Sequence, residues 1–239
     1  MLKLLTSWHE EVHLIEHAIM KRAASECELS ILEAGCGQRW PLNLGNIKYN
    51  LTGVDLDAEA LRMRTEIAKD LHRGIHADLR EIDFPENSFD VIYSSYVLEH
   101  IDGAEAVLMN FTKWLKKDGI IVIMIPDPEA VRGFITKLSP HWVHVLYYKY
   151  IVGQKNAGKP GYAPYHTIYD KVLYQEQLRQ FCAQNGLTID VQAGDGYYQL
   201  GRGVMDLILK AFVKFVSLLS LNKLSSDHVN LLYILRKTV

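Results

Sequence analysis

Cysteine is scarce in this chain of 239 residues: Cys27, Cys36 and Cys182 stand far apart, with no CxxC pair and no Cys/His cluster. That argues against a disulfide framework and a structural zinc site, and leaves reduced thiols. Nor do His or carboxylate pairs stand at ligand spacing with a supporting third group, so no metal is expected. Excess positive charge is also lacking. With 26 Lys+Arg against 28 Asp+Glu the formal net charge is -2, so the field that drives sequence-independent nucleic-acid binding is missing and no nucleic-acid partner is expected. No low-complexity linker marks a boundary, since 16 Gly and 7 Pro are scattered. A single domain over 1–239 follows. The opening MLKLLTSWHE has too short an apolar part for a secretory signal, and a cytoplasmic location is the expectation. What the chain does have is 49% hydrophobic residues and 23% charged ones, enough to bury a core.

Apolar residues at spacings of three and four predict an amphipathic helix over 7–24. Five short apolar runs then read as buried parallel strands: 30–34, a run ending at Asp55, one leading to Asp78, 89–94 and 119–125. Helical patterns separate them, Asp57 to Asp70 with Asp57 as N-cap, and Gly103 to Lys116. Strand alternating with helix means right-handed β-α-β units and a doubly wound α/β sheet. Beyond the cofactor half, 30–125, the stretch 126–170 is aromatic-rich and broken by Pro and Gly, including Pro160. A helix from Tyr174 to Asn185, strands 187–193 and 229–236, and an apolar helix from Val204 to Leu221 complete the chain.

Function is signalled where the first strand ends, in Glu33-Ala34-Gly35-Cys36-Gly37. Two glycines allow a sharp turn and a close approach of ligand to backbone. A lone GxG is a weak signal, but the next strand ends in Asp55, 20 residues after Gly35, where a carboxylate can accept both ribose hydroxyls. A third strand ends in Asp78-Leu79, an acceptor and an apolar wall suited to adenine. Trp40 stands where a dinucleotide fingerprint needs a small residue, so NAD is disfavoured, and no P-loop pattern is present. An adenosine ligand without phosphates and with its own positive charge remains.

On these residues the chain resembles the class I S-adenosylmethionine-dependent methyltransferases. The resemblance implies a Rossmann-like methyltransferase fold, a seven-stranded, mostly parallel sheet of order 3-2-1-4-5-7-6. It has helices on both faces and an aromatic-rich helical insertion after strand 5. It implies S-adenosyl-L-methionine as cofactor, with Glu33, Gly35 and Gly37 at the methionine part, Asp55 and Leu56 at the ribose, and Asp78 and Leu79 at adenine. Ser94 and Ser95, in FDVIYSSYVLEHI, would face the methionine. The chain departs from the family at Gln38-Arg39-Trp40-Pro41, and the poor helix formers between Gly37 and Leu51 foretell a short or irregular first crossover.

The acceptor is expected beyond the carboxyl ends of strands four and five, under 126–170. Six of the 13 tyrosines lie there, Tyr162 among them, as a lid or as rings packed inward. Proton removal, if needed, falls to His166 first and His100 second. The expected reaction is methyl transfer to a small or lipid-like acceptor at oxygen. A catalytically silent scaffold of the same fold and, further off, an NAD-dependent oxidoreductase are the alternatives. The helix Val204 to Leu221 carries Asp206, Lys210 and Lys214, which argue against spanning a bilayer; packing inside the protein, a dimer contact and peripheral membrane contact remain open for it.

Overall fold

The computed structural model describes residues 2–24, 26–159, 164–196 and 203–239; Pro160 and Tyr162 lie outside the described residues. After β1 (Lys3–Leu5) and α1 (Trp8–Ala23) come β2 (Leu29–Ala34), β3 (Tyr49–Asp55), α2 (Ala58–Arg62), β4 (Arg73–His76), β5 (Phe89–Ser95), α3 (Ala104–Trp114) and β6 (Leu115–Pro126). The chain continues through α4 (Val131–Leu138), α5 (His141–Tyr147), α6 (Gln175–Gln184), β7 (Leu187–Asp195), α7 (Val204–Leu219) and β8 (Asn230–Lys237). A π-helical stretch, Met63–Ala68, extends α2.

These strands form one sheet of order β1-β7-β8-β6-β5-β2-β3-β4, in which β8 alone runs antiparallel, to β6 and to β7. Without β1 this is the order the resemblance implied. The expected count of seven becomes eight because Lys3 to Leu5 add a parallel edge strand on Ala193 to Asp195. Three residues are too few to carry a strand pattern of their own, so only the tertiary pairing defines β1.

Alternation along the strands fills both faces of the sheet. Ile121, Ile123 and Ile125 join α3 and α6 in one core, whereas Ile120, Val122 and Met124 join Ile15 and Ile19 of α1 in the other. Helix starts follow the sequence: Ser7 Oγ accepts from the Glu10 amide at α1, and Asp57 Oδ1 accepts from Glu59 and Ala60 at α2. Residues 38–48 contain no helix, as their composition foretold. The Lys116 to Gly119 stop behaves differently. The helix ends at Trp114, but the next strand has already begun at Leu115, and residues 116–119 loop out, since Phe89 pairs with Leu115 and Val91 with Ile120.

Asp90, fully buried, ties this layout together. Its carboxylate accepts from Arg22 Nη2 of α1 and Lys116 Nζ of β6, both at 2.7 Å, and from the Ser30 amide at 2.9 Å. On the other side of β6, the buried pair of Asp127 Oδ2 and His228 Nε2, 2.6 Å apart, fastens the end of β6 to the start of β8. Removing a buried carboxylate leaves its cations without compensation. Asp90→Ala is therefore expected to lower stability by about 3 kcal/mol or more, read as a fall in the urea midpoint at unchanged m-value.

Candidate active site

The central strand β2 pairs with β3 on one side and β5 on the other. The chain crosses in opposite directions from it, and a crevice opens at its carboxyl end. The loop closing β2 is clamped to β3, because the Gly35 and Cys36 amides both donate to the Val54 carbonyl. Gly35 has φ of +74°, and a Cβ there would meet Val97 Cγ2 at 2.2 Å, so both conformation and space demand glycine. Gly37, φ +52°, has nothing within 4 Å of such a Cβ; its exposed side is open to a ligand.

Of the three acidic tips, Asp55 borders that opening. It accepts from the Gly37 amide through Oδ2 and from the Asp57 amide through Oδ1, both at 2.8 Å, which fixes the carboxylate and leaves it lone pairs for sugar hydroxyls. Glu33 turns inward. Its Oε2 lies 2.8 Å from the fully buried guanidinium of Arg64, and burial pushes its carboxyl up to about 8 against the pull of Arg64. Asp78 is bidentate with Arg80, whose bond holds its carboxyl below the usual range. Leu79 is buried in the α3-side core, while the Leu56 side chain is exposed and its carbonyl accepts from His76 Nε2.

At the end of β5, Ser94 Oγ is buried without a partner, and Ser95 Oγ donates to Met124 Sδ. Tyr96, at φ +57°, turns the chain sharply so that Val97 fills the space Gly35 leaves. The following 3-10 turn, Leu98–His100, carries the segment 164–169. Ile168 and Tyr169 amides donate to the Glu99 carbonyl, and His100 Nδ1 sits 2.7 Å from the His166 carbonyl. A carbonyl only accepts, so Nδ1 carries the proton and Nε2 keeps its lone pair. Burial depresses the His100 pKa, which keeps the ring neutral. The two expected histidines thus meet, but through the backbone of His166, whose own ring is exposed and 6.2 Å from that of His141.

Tyr165 spans the two halves of the site. Its ring packs edge-on against His100 at 5.8 Å; burial raises its hydroxyl pKa, and the Asp57 and Asp55 carboxylates raise it further. The lid segment therefore packs on the His100 turn, with Tyr165 near enough to Asp57 and Asp55 to feel their charge. By contrast α5 has no buried residue, and Trp142 is 64% exposed, so its rings are not core.

Arg64 and Val97 escaped the sequence reading of the site, and Trp40 entered it only as a departure from the dinucleotide and methyltransferase patterns. Arg64 also donates to the Cys36 carbonyl at 2.7 Å and to Asp70 at 2.6 Å. Its only trace was a position three residues after Leu61, on the inward side of the helical pattern. Trp40 packs on Tyr93, 5.5 Å away, and its buried indole N–H has no partner. Val97 gave no signal.

Residues 32–123 match the family described as a methyltransferase domain. Among curated proteins, phosphoethanolamine N-methyltransferase 3 of Arabidopsis thaliana is 31% identical over 102 residues, 39% of this chain and 20% of that protein. A phosphatidylethanolamine N-methyltransferase of Cereibacter sphaeroides is 28% identical over 102 residues, 39% of this chain and 49% of that protein. The chain thus spans about a fifth to a half of these relatives. Among solved structures, a putative sarcosine dimethylglycine methyltransferase from Galdieria sulphuraria superposes with a TM-score of 0.58 at 13% identity, covering 96% of this chain and 85% of that one. The cyclopropane synthase MmaA2 from Mycobacterium tuberculosis gives 0.55 at 14% identity, with 95% and 84% covered.

The sheet order and the glycine crevice have the architecture of a Rossmann-like methyltransferase fold. The match over residues 32–123 supports the resemblance to the class I S-adenosylmethionine-dependent methyltransferases, and with it S-adenosylmethionine as cofactor. The donor set fits it: a glycine loop with open space at Gly37 and, bonded to the Gly37 amide, a fixed carboxylate with lone pairs to spare.

Asp55→Ala is expected to weaken S-adenosylhomocysteine binding by about 1.5 to 3 kcal/mol, the range for hydrogen bonds to a charged group, as read by calorimetry. Glu99 generates a second prediction. Buried with no partner at Oε2, its carboxyl is raised from 4.5 to about 8 by burial. The native state then holds a proton that the unfolded chain releases, so this group costs stability progressively as pH rises from about 4.5 to about 8. Glu99→Gln should flatten that part of the decline, seen in urea midpoints measured across the interval.

Proposed function

We propose that this chain methylates a small or lipid-like acceptor from S-adenosylmethionine, and that the acceptor atom is an amine nitrogen in place of the oxygen expected from sequence. The packing of Tyr165 on the His100 imidazole carries the reading, since the Asp57 and Asp55 charges also act on its hydroxyl. Support for nitrogen comes from relatives whose names state an atom, the phosphoethanolamine and phosphatidylethanolamine N-methyltransferases.

When bound, the cofactor supplies an electrophilic methyl on a positively charged sulfur. The protein's part is to orient, to exclude water and to manage one proton. Asp55 and the Gly37 side of the loop hold the nucleoside end, and the segment 164–169 covers the crevice. His100 Nε2 takes the proton that an ammonium must lose before its nitrogen can attack. Glu99 and the His166 carbonyl are positioning groups, because they fix the turn and the tautomer.

The test is S-adenosylhomocysteine release with phosphoethanolamine, phosphatidylethanolamine in mixed micelles, and hydroxyl-bearing analogues as acceptors. His100→Ala should lower kcat by roughly 10²- to 10⁴-fold, the usual contribution of a general base, with cofactor affinity unchanged. Full activity in that variant would remove His100 from the proton path. Cofactor binding with no turnover on any acceptor would instead favour the silent scaffold.

A further inference from the structure

Helix α7 sits on the protein the wrong way round for a surface helix. Among the described residues its buried positions are Val213 and Ser217. At 100° per residue the stripe opposite Val213 holds Leu207, Ile208, Phe215, Leu218 and Leu219, all exposed. Lys210 and Lys214, also exposed, run along one flank of that stripe. Ordinary amphipathic helices turn the apolar side inward, so an apolar stripe facing outward marks an interaction surface.

The surface extends beyond α7. Helix α4 packs against it and exposes Phe134, Ile135 and Leu138, while α5, two residues further on, exposes Trp142, Leu146 and Tyr147. Charge in this part of the chain is one-sided. Residues 130–169 hold Arg132, Lys137, Lys149, Lys155 and Lys159 and no Asp or Glu, although the chain as a whole has a net charge of -2. All five are exposed. Apolar side chains bordered by lysines, with Trp and Tyr among them, match the boundary between acyl chains and anionic headgroups. Among the described residues no helix is long and apolar enough to cross a membrane, so the contact this surface can make is peripheral.

We propose that α7, with α4 and α5, docks the protein on an anionic lipid bilayer, with α7 lying in the plane of the interface. Aliphatic and aromatic residues of the stripe enter the headgroup boundary, and the lysines meet lipid phosphates beside them. The docking assignment does not depend on the identity of the acceptor.

Vesicle flotation of the full chain tests it, with phosphatidylcholine alone and with added phosphatidylglycerol. Binding is expected to the anionic vesicles. It should fall on the order of thirtyfold in Lys210→Gln/Lys214→Gln, from the contribution of each lysine near a charged surface, and be lost in Ile208→Asp/Phe215→Asp. Both variants alter exposed side chains, and unchanged S-adenosylhomocysteine binding in each confirms an intact fold. That control also separates the two readings, because a failed cofactor assignment shows there and a failed docking assignment shows only in flotation. The proposal is overturned by no flotation with either vesicle, by equal flotation with both, or by no effect of the substitutions. A dimer in sedimentation that Phe215→Asp dissociates overturns it too, since the stripe would then be covered by a second copy.

Discussion

The peptide unit between Cys36 and Gly37 is held at both ends, and the geometry of the crevice follows from that. Its carbonyl accepts from the buried Arg64 guanidinium, and its N–H donates to Asp55. Because a trans peptide points these two groups in opposite directions, the plane between them cannot rotate without breaking a charge-assisted bond. Arg64 is tolerable in the interior only because Glu33, Asp70 and that carbonyl together surround it. A loop of glycines is thereby made rigid by its neighbours, with its open side left free.

The same bonds divide labour among acids that look equivalent in the sequence. Glu33, Asp55 and Asp78 all end or follow strands at one edge, yet Glu33 is engaged by Arg64 from inside and Asp78 by Arg80 from outside. Asp55 is bonded only to backbone amides in its surroundings. A carboxylate whose partners are amides still has lone pairs to offer a hydroxyl, while one bonded to a guanidinium works as part of the frame.

Much of the fold could be read in advance because buried parallel strands are nearly continuous apolar runs bounded by Gly and Asp, and each such run from β2 to β6 appears in the sheet within a few residues of its expected place. The crossover after Gly37 was legible from its shortage of helix formers. β1 was not, because its pairing partner is β7. At the site, the glycine turn and the Asp55 spacing carry a local signature, whereas Arg64, Trp40 and Val97 act through contacts between distant segments. His100 and His166 could be picked as chemically able. That one ring would bond the other's carbonyl depends on how 164–169 crosses the 3-10 turn, and no residue pattern encodes that path.

The sheet's topology also has a consequence for how the chain is made. Strands β2 to β5 assemble from segments close in sequence, and β6 joins them soon after. β1 is made before the strand it joins and has no neighbour until Ala193 to Asp195 exist, and β7 reaches the sheet through β8, which follows it in sequence. Long loops must close late, which slows completion. Until β8 is made, strands β2 to β6 therefore coexist with an uncovered β6 edge, a state in which a chaperone has the most to protect.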